Sequence, residues 1–258
     1  MEFYKYQGAG NDFVMIDNRL QTFPKEDTAL IARMCDRHFG IGADGLILLE
    51  EDEDADFRMV YFNADGREGT MCGNGGRCVV AFAYKLGLLK KKTSFQAIDG
   101  LHYAEVSDDG LVALAMNEPS KIEKTPEGHY ILDTGSPHYV IVCGQMPKEI
   151  IEEARRIRFG ERFKHEGINV NFIVIEKDQI QIRTYERGVE NETMACGTGA
   201  VAAAAVAKLM NKRKHILVAA LGGALEVYFG VYPSLSGLVL KGPAKSSFQG
   251  VWRRHLKV

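Results

Sequence analysis

Two cysteines in this chain stand where sulfur becomes reactive. Thr70-Met71-Cys72-Gly73-Asn74-Gly75-Gly76-Arg77 leads into the apolar run Cys78-Val79-Val80-Ala81-Phe82-Ala83, and Thr193-Met194-Ala195-Cys196-Gly197-Thr198-Gly199-Ala200 leads into Val201 through Ala207. Both stretches read as the opening of a buried helix. The first turn of a helix carries unpaired N–H groups and a partial positive charge. Glycines there let a ligand approach the backbone closely, so a carboxylate or phosphate can be held. A thiol at that place is stabilised as thiolate and its pKa falls toward neutrality. Such a sulfur is a base when ionised and an acid when protonated. Cys72 and Cys196 lie 124 residues apart in a chain of 258, and each follows a tyrosine, Tyr61 or Tyr185, by 11 residues. The match reads as an internal duplication with a symmetric task for the two thiols.

The other three cysteines, Cys35, Cys78 and Cys143, fall in apolar patterns without flanking glycines. Free cysteine in such a setting is a small buried hydrophobe. Zinc would ask for four ligands at short spacings, and Cys35-x₂-His38 with Cys72-x₅-Cys78 does not complete a set. A dinucleotide or Walker loop would ask for a glycine pattern that Gly73-Asn74-Gly75-Gly76-Arg77 does not follow. His138 could serve one cysteine in a protease-like pair, but the second matched cysteine would then be idle. Neither a metal nor a cofactor is expected.

Something must hold these motifs in place. Short β-branched or aromatic runs at Phe13–Ile16, Gly45–Leu49, Phe57–Phe62, Leu111–Met116, Tyr139–Cys143, Asn171–Ile175, Ile180–Tyr185, Ile216–Ala220, Leu225–Tyr232 and Leu238–Leu240 predict strands. Helical spacing marks Lys25–His38, with Asp27 or Thr28 as cap, and Pro147–Arg158, with proline early in the helix. Gly75–Leu89 and Gly199–Met210 are apolar nearly all round, so each must be buried on every face. The expected fold is α+β: two lobes, each a strongly bent, mainly antiparallel sheet around one helix.

Composition agrees with a globular chain, at 46% hydrophobic and 26% charged residues. Glycine, 27 of 258 or about 10% against a usual ~7%, is in excess and clusters at the cysteine motifs. A net charge of −2 makes no electrostatic case for nucleic acid or an anionic membrane as partner. No apolar run approaches the about 18 residues a membrane helix needs. Five cysteines cannot all pair within the chain, and the start of the sequence lacks a secretory pattern, so a cytoplasmic location with free thiols is expected.

Taken in order, Gly8-Ala9-Gly10-Asn11-Asp12-Phe13, Phe62-Asn63-Ala64-Asp65-Gly66, Cys72-Gly73-Asn74-Gly75-Gly76-Arg77-Cys78, Gly167-Ile168-Asn169-Val170-Asn171-Phe172, Tyr185-Glu186-Arg187-Gly188 and Ala195-Cys196-Gly197-Thr198-Gly199-Ala200 resemble diaminopimelate epimerase over essentially the whole chain. The resemblance implies two pseudo-symmetric lobes, each a barrel-like sheet around a central helix, with the site in the cleft between them. Residues 1–116 plus 247–258 would form the lobe with Cys72, and 117–246 the lobe with Cys196. It implies inversion of one α-carbon of LL-diaminopimelate to the meso form, a step toward lysine and peptidoglycan precursors, without pyridoxal phosphate or metal. Cys72 corresponds to the proton donor and Cys196 to the acceptor in that direction. Gly73, Asn74, Gly197 and Thr198 match residues binding the reacting carboxylate; Asn11, Asn63, Asn169, Glu186 and Arg187 match the other substrate contacts. His138 and Glu186 match residues that adjust the cysteine pKa values, and Phe248 a position tied to homodimer contact.

Two positions depart from the pattern: Ser136 where the family often has Asn, and Gly45 where it sometimes has Gln. Both touch substrate in some members, so the contacts to the distal end of the substrate differ here. The competing readings are a proline-type or broad amino-acid racemase, or a non-catalytic small-molecule binder on the same scaffold. Proline racemases usually carry Cys-Gly-His at the first motif, where this chain has Cys72-Gly73-Asn74. Relatives of the phenazine-biosynthesis type lack the cysteine pair that is present here.

Overall fold

The computed structural model describes residues 1–69, 71–119, 121–232 and 235–253. Thr70 of the first cysteine motif and residues 254–258 of the segment assigned to the first lobe lie outside the described residues. The chain divides into two compact units, Met1–Val112 with the chain from Ala244, and Ala113–Pro243.

The first unit opens with β1 (Glu2–Gly8) antiparallel to β2 (Asn11–Asp17). Helix α1 (Thr28–Cys35) then crosses over to β3 (Gly45–Glu50), which lies parallel to β2. β4 (Phe57–Asn63) runs antiparallel to β3 and leads into α2 (Gly73–Lys85). β5 (Lys92–Ala97), parallel to β4, and β6 (Gly100–Val106), antiparallel to β5, follow. The sheet wraps α2, which packs on β1, β2, β3, β4 and β6.

The second unit repeats this order. After β7 (Val112–Met116) and the short β8 (Glu123–Lys124), β9 (Tyr130–Asp133) is antiparallel to β10 (Pro137–Val142). Helix α3 (Ile151–Arg158) crosses to β11 (Asn169–Ile175), parallel to β10; β12 (Gln179–Glu186) returns antiparallel. After β13 (Asn191–Thr193) comes α4 (Gly197–Asn211), then β14 (His215–Ala220) parallel to β12 and β15 (Gly223–Tyr232) antiparallel to β14. β16 (Leu235–Gly242) closes the unit against β15. Helix α4 is wrapped by β9, β10, β11, β12, β14 and β15. The chain then returns to the first unit as β17 (Lys245–Val251), antiparallel to β1. Each unit is therefore the expected bent sheet around one helix, with the same sequence of pairings.

Burial explains why those two helices need no polar face. Every residue from Ala200 to Ala207 is at least nine-tenths buried, and in α2 Arg77, Cys78, Val79, Val80, Phe82 and Ala83 are fully so. Two peripheral helices come out shorter than their spacing suggests. Asp27 caps α1, its side chain accepting from Leu30 N–H, but Asp36 ends it by accepting from the N–H groups of His38 and Phe39. Helix α3 starts at Ile151 rather than at the proline, because Arg183 Nη1 takes the carbonyls of Pro147 and Lys148 at 2.6 and 2.9 Å. Among the described residues, no helix is long and apolar enough to cross a membrane.

Candidate active site

Both cysteines are N-caps. Cys72 precedes α2 with φ −103° and ψ 124°, and Cys196 precedes α4 with φ −114° and ψ 117°, the extended backbone typical of that position. Both helices begin two residues earlier than their periodicity suggests, at Gly73 and Gly197. Glycine is a poor helix former, and here tertiary burial outweighs propensity. Each cap carbonyl accepts the first helical bond, from Gly76 at 2.7 Å and Ala200 at 2.9 Å. The N–H groups of the first turn are thus directed to the cysteine end, where charge of opposite sign is stabilised.

Around Cys72 the first unit gathers Asn11, Asn74 and Arg77. Asn11 Nδ2 donates to Asp44 Oδ2 at 2.6 Å, which turns Asn11 Oδ1 toward Cys72 Sγ at 3.5 Å and Asn74 Nδ2 at 3.4 Å. An amide oxygen only accepts, so in this contact the Cys72 thiol is the donor. Arg77, fully buried, donates from Nη2 to Asn74 Oδ1 at 2.7 Å and fixes that amide too. Burial pushes the Arg77 pKa down, while Cys78 and Cys72 favour its charge. Arg77 was present in the motif but carries no expected role; its signal is a cation one turn into a helix whose neighbouring residues are apolar. Asp12 is part of the support: burial raises its pKa, yet hydrogen bonds from Arg37 and Lys5 overcome this and hold it at about 2. Asn63 is exposed at the end of β4, opposite Gly45, and Gly73 is buried in the first turn of α2.

Around Cys196 the second unit gathers Thr198, His138 and Asn171. Cys196 Sγ is 3.4 Å from Thr198 Oγ1, which is 3.0 Å from His138 Nε2; His138 Nδ1 is 3.0 Å from Asn171 Nδ2. His138 is completely buried, and burial first, then the charge of Arg187, brings its pKa down to about 3. It is a neutral imidazole. Asn169 is buried, donating to Ser136 Oγ at 2.9 Å and accepting from Arg187 N–H at 2.9 Å. Ser136 thus holds Asn169 in place. Arg187 is exposed, with Nη1 on the Glu166 carbonyl at 2.9 Å, and Glu186 accepts from Thr193 Oγ1 at 2.9 Å. Gly197 is buried at the head of α4. Asn171 stands in the quoted motif but carries no expected role, although it shares a strand face with Asn169 two residues away.

The three remaining cysteines differ from this pair. Burial pushes the thiols of Cys35 and Cys78 up to about 12, and raises that of Cys143. The departure at Gly45 also has a local cause. A Cβ there would come within 2.5 Å of the Phe62 carbonyl oxygen and 2.6 Å of the Tyr61 ring, so Tyr61 occupies the room that a side chain would need. Phe248 is half-exposed on β17, opposite Lys5 and edge-on to Phe3.

Comparison with solved structures fixes the class of fold. A phenazine biosynthesis protein of the PhzF family from Bacillus anthracis superposes with a TM-score of 0.74 at 15% identity, covering 97% of this chain and 98% of that one. A hydroxyproline epimerase from Agrobacterium vitis follows at 0.65 and 16%, covering 97% and 91%. The protein is built on the two-unit α+β scaffold these proteins share. Its sequence goes further: residues 3–122 and 130–245 match the family described as Diaminopimelate epimerase. The chain is 49% identical to the diaminopimelate epimerase of Flavobacterium psychrophilum over 254 residues, 96% of this chain and 99% of the relative, and 41% identical to that of Aquifex aeolicus, covering 97% of each. The chain belongs to the diaminopimelate epimerase family and is an isomerase.

Proposed function

We propose that the protein converts LL-diaminopimelate to the meso form in lysine biosynthesis by two-base proton transfer, with Cys196 taking the α-proton and Cys72 supplying its replacement. Family membership supports the reaction, and one observation supports the roles: each unit contains a glycine-rich helix start capped by a half-buried cysteine. The α-proton of an amino acid is very weakly acidic, so the developing carbanion needs strong electrostatic stabilisation. N–H groups at the heads of α2 and α4, with Gly73, Asn74, Gly197 and Thr198, suit the reacting carboxylate. The distal amino-carboxylate is assigned to Asn11, Asn63, Asn169, Glu186 and Arg187, the guanidinium forking a carboxylate. Inversion removes a proton from one face and delivers another to the opposite face, so one sulfur must be ionised and the other protonated. The contacts favour that division: an amide oxygen at Cys72 and a hydroxyl at Cys196.

We also infer a homodimer, supported by exposed Phe248 and Val251 on β17, and a cytoplasmic location, supported by the five free cysteines. Cys72→Ser and Cys196→Ser should each lower epimerisation by about 10²–10⁴-fold, because serine ionises far less readily than cysteine near neutral pH. Cys35→Ala and Cys143→Ala should retain most turnover. A fully active Cys72→Ser or Cys196→Ser enzyme would overturn the assignment.

A further inference from the structure

We propose that Asn171 is a positioning residue for this reaction: it holds His138 in the tautomer protonated at Nε2, which turns the Thr198 hydroxyl to donate to Cys196 Sγ. The inference rests on the reading of Cys196 as the proton-accepting thiol. It starts from the orientation of one amide. Asn171 is fully buried, and its Nδ2 lies 3.4 Å from the Tyr139 carbonyl oxygen, a group that only accepts. Its Oδ1 accepts from Thr184 Oγ1 at 3.0 Å on the other side. The amide therefore presents an N–H, not an oxygen, to His138 Nδ1 at 3.0 Å.

That contact makes Nδ1 an acceptor. A neutral imidazole has one ring proton, and it must then sit on Nε2. Burial and the charge of Arg187 keep the second proton away. Nε2–H donates to Thr198 Oγ1 at 3.0 Å, and Thr134 Oγ1 anchors the same residue by donating to its carbonyl at 2.9 Å. A hydroxyl that accepts from the imidazole has its own hydrogen free for another acceptor, and Cys196 Sγ lies 3.4 Å away. Every group in the series Asn171, His138, Thr198 donates toward the sulfur. Such a series stabilises a thiolate over a thiol, because a thiolate can only accept. Cys72 meets an amide oxygen instead. The two sulfurs are thus prepared for opposite roles before substrate arrives.

Two measurements on the intact protein test this, and neither depends on turnover. In the ¹⁵N-histidine spectrum, His138 Nδ1 should resonate in the unprotonated range and Nε2 in the protonated range at neutral pH. A reversed or doubly protonated His138 would overturn the proposal. Alkylation by iodoacetamide near neutral pH, read by peptide mass spectrometry, should slow about tenfold at Cys196 in Thr198→Val, the effect of one lost hydrogen bond to an ionised group. Asn171→Leu should slow it in the same direction, the double variant should add little, and Thr198→Ser should restore the rate, while Cys72 reacts as before throughout. Unchanged Cys196 reactivity in Thr198→Val would refute the relay, whether or not Asn171→Leu folds. Should the tautomer be found in a protein that does not epimerise diaminopimelate, the relay would stand and the proposed function would fall.

Discussion

A neutral histidine sealed inside a protein ties function to stability. His138 has no exposure and a pKa of about 3, against an ordinary value of 6.5. The unfolded chain takes up a proton near 6.5 that the folded chain refuses until about pH 3. Its contribution is therefore fully present above pH 6.5 and is lost as pH falls toward 3, at about 1.4 kcal/mol per pH unit. Urea unfolding of wild type and His138→Gln between pH 6 and 4 should give a shallower dependence in the variant. Equal slopes would show that His138 does protonate in the folded state. The same desolvation suits the residue to its place beside Thr198, since an imidazole that stays neutral keeps one donor and one acceptor.

At the scale of elements, the site depends on how closely α4 approaches β11. A Cβ on Gly199 would lie 2.6 Å from Asn171 Oδ1 and 3.4 Å from Cys196 Sγ. Gly199→Ala should therefore cost about 1–3 kcal/mol of stability and lower kcat by displacing Asn171. A variant with wild-type melting and kcat would contradict this packing. The two buried helices were legible in the sequence because they are apolar on all faces, and β2, β3, β10, β11 and β12 because they are dense in branched residues. Other strands hid for physical reasons. β5 and β6 bury Thr93 and His102 at inward positions, β1 buries Lys5 on Asp12, and β17 is almost wholly exposed. One inward position in each of β1, β5 and β6 is polar and β17 lacks a buried face, so the alternation of apolar residues is broken or missing there. The caps Cys72 and Cys196 were legible from flanking glycines, whereas Asn171 acts through a fold contact with His138 on the neighbouring strand. Nothing in its local sequence announces that.

For the whole molecule, the repeated order of strand, crossover helix, parallel strand, antiparallel return and cysteine helix gives each unit one thiol at one helix start. Sedimentation at micromolar concentration should give the dimer mass, with Phe248→Asp shifting it toward monomer; a monomeric wild type would exclude the homodimer. The proposed reaction requires both thiols to act on one substrate molecule. The fate of the α-hydrogen in D₂O decides this most directly. With Cys196 as acceptor and Cys72 as donor, the hydrogen leaves to one sulfur and its replacement comes from the other, already exchanged with solvent. Early in the reaction, mass spectrometry should find deuterium at the inverted α-carbon of meso-diaminopimelate, while recovered LL-diaminopimelate retains its hydrogen. Early product carrying substantial α-hydrogen would mean that one base returns the proton it removed, and the two-thiol account would be wrong.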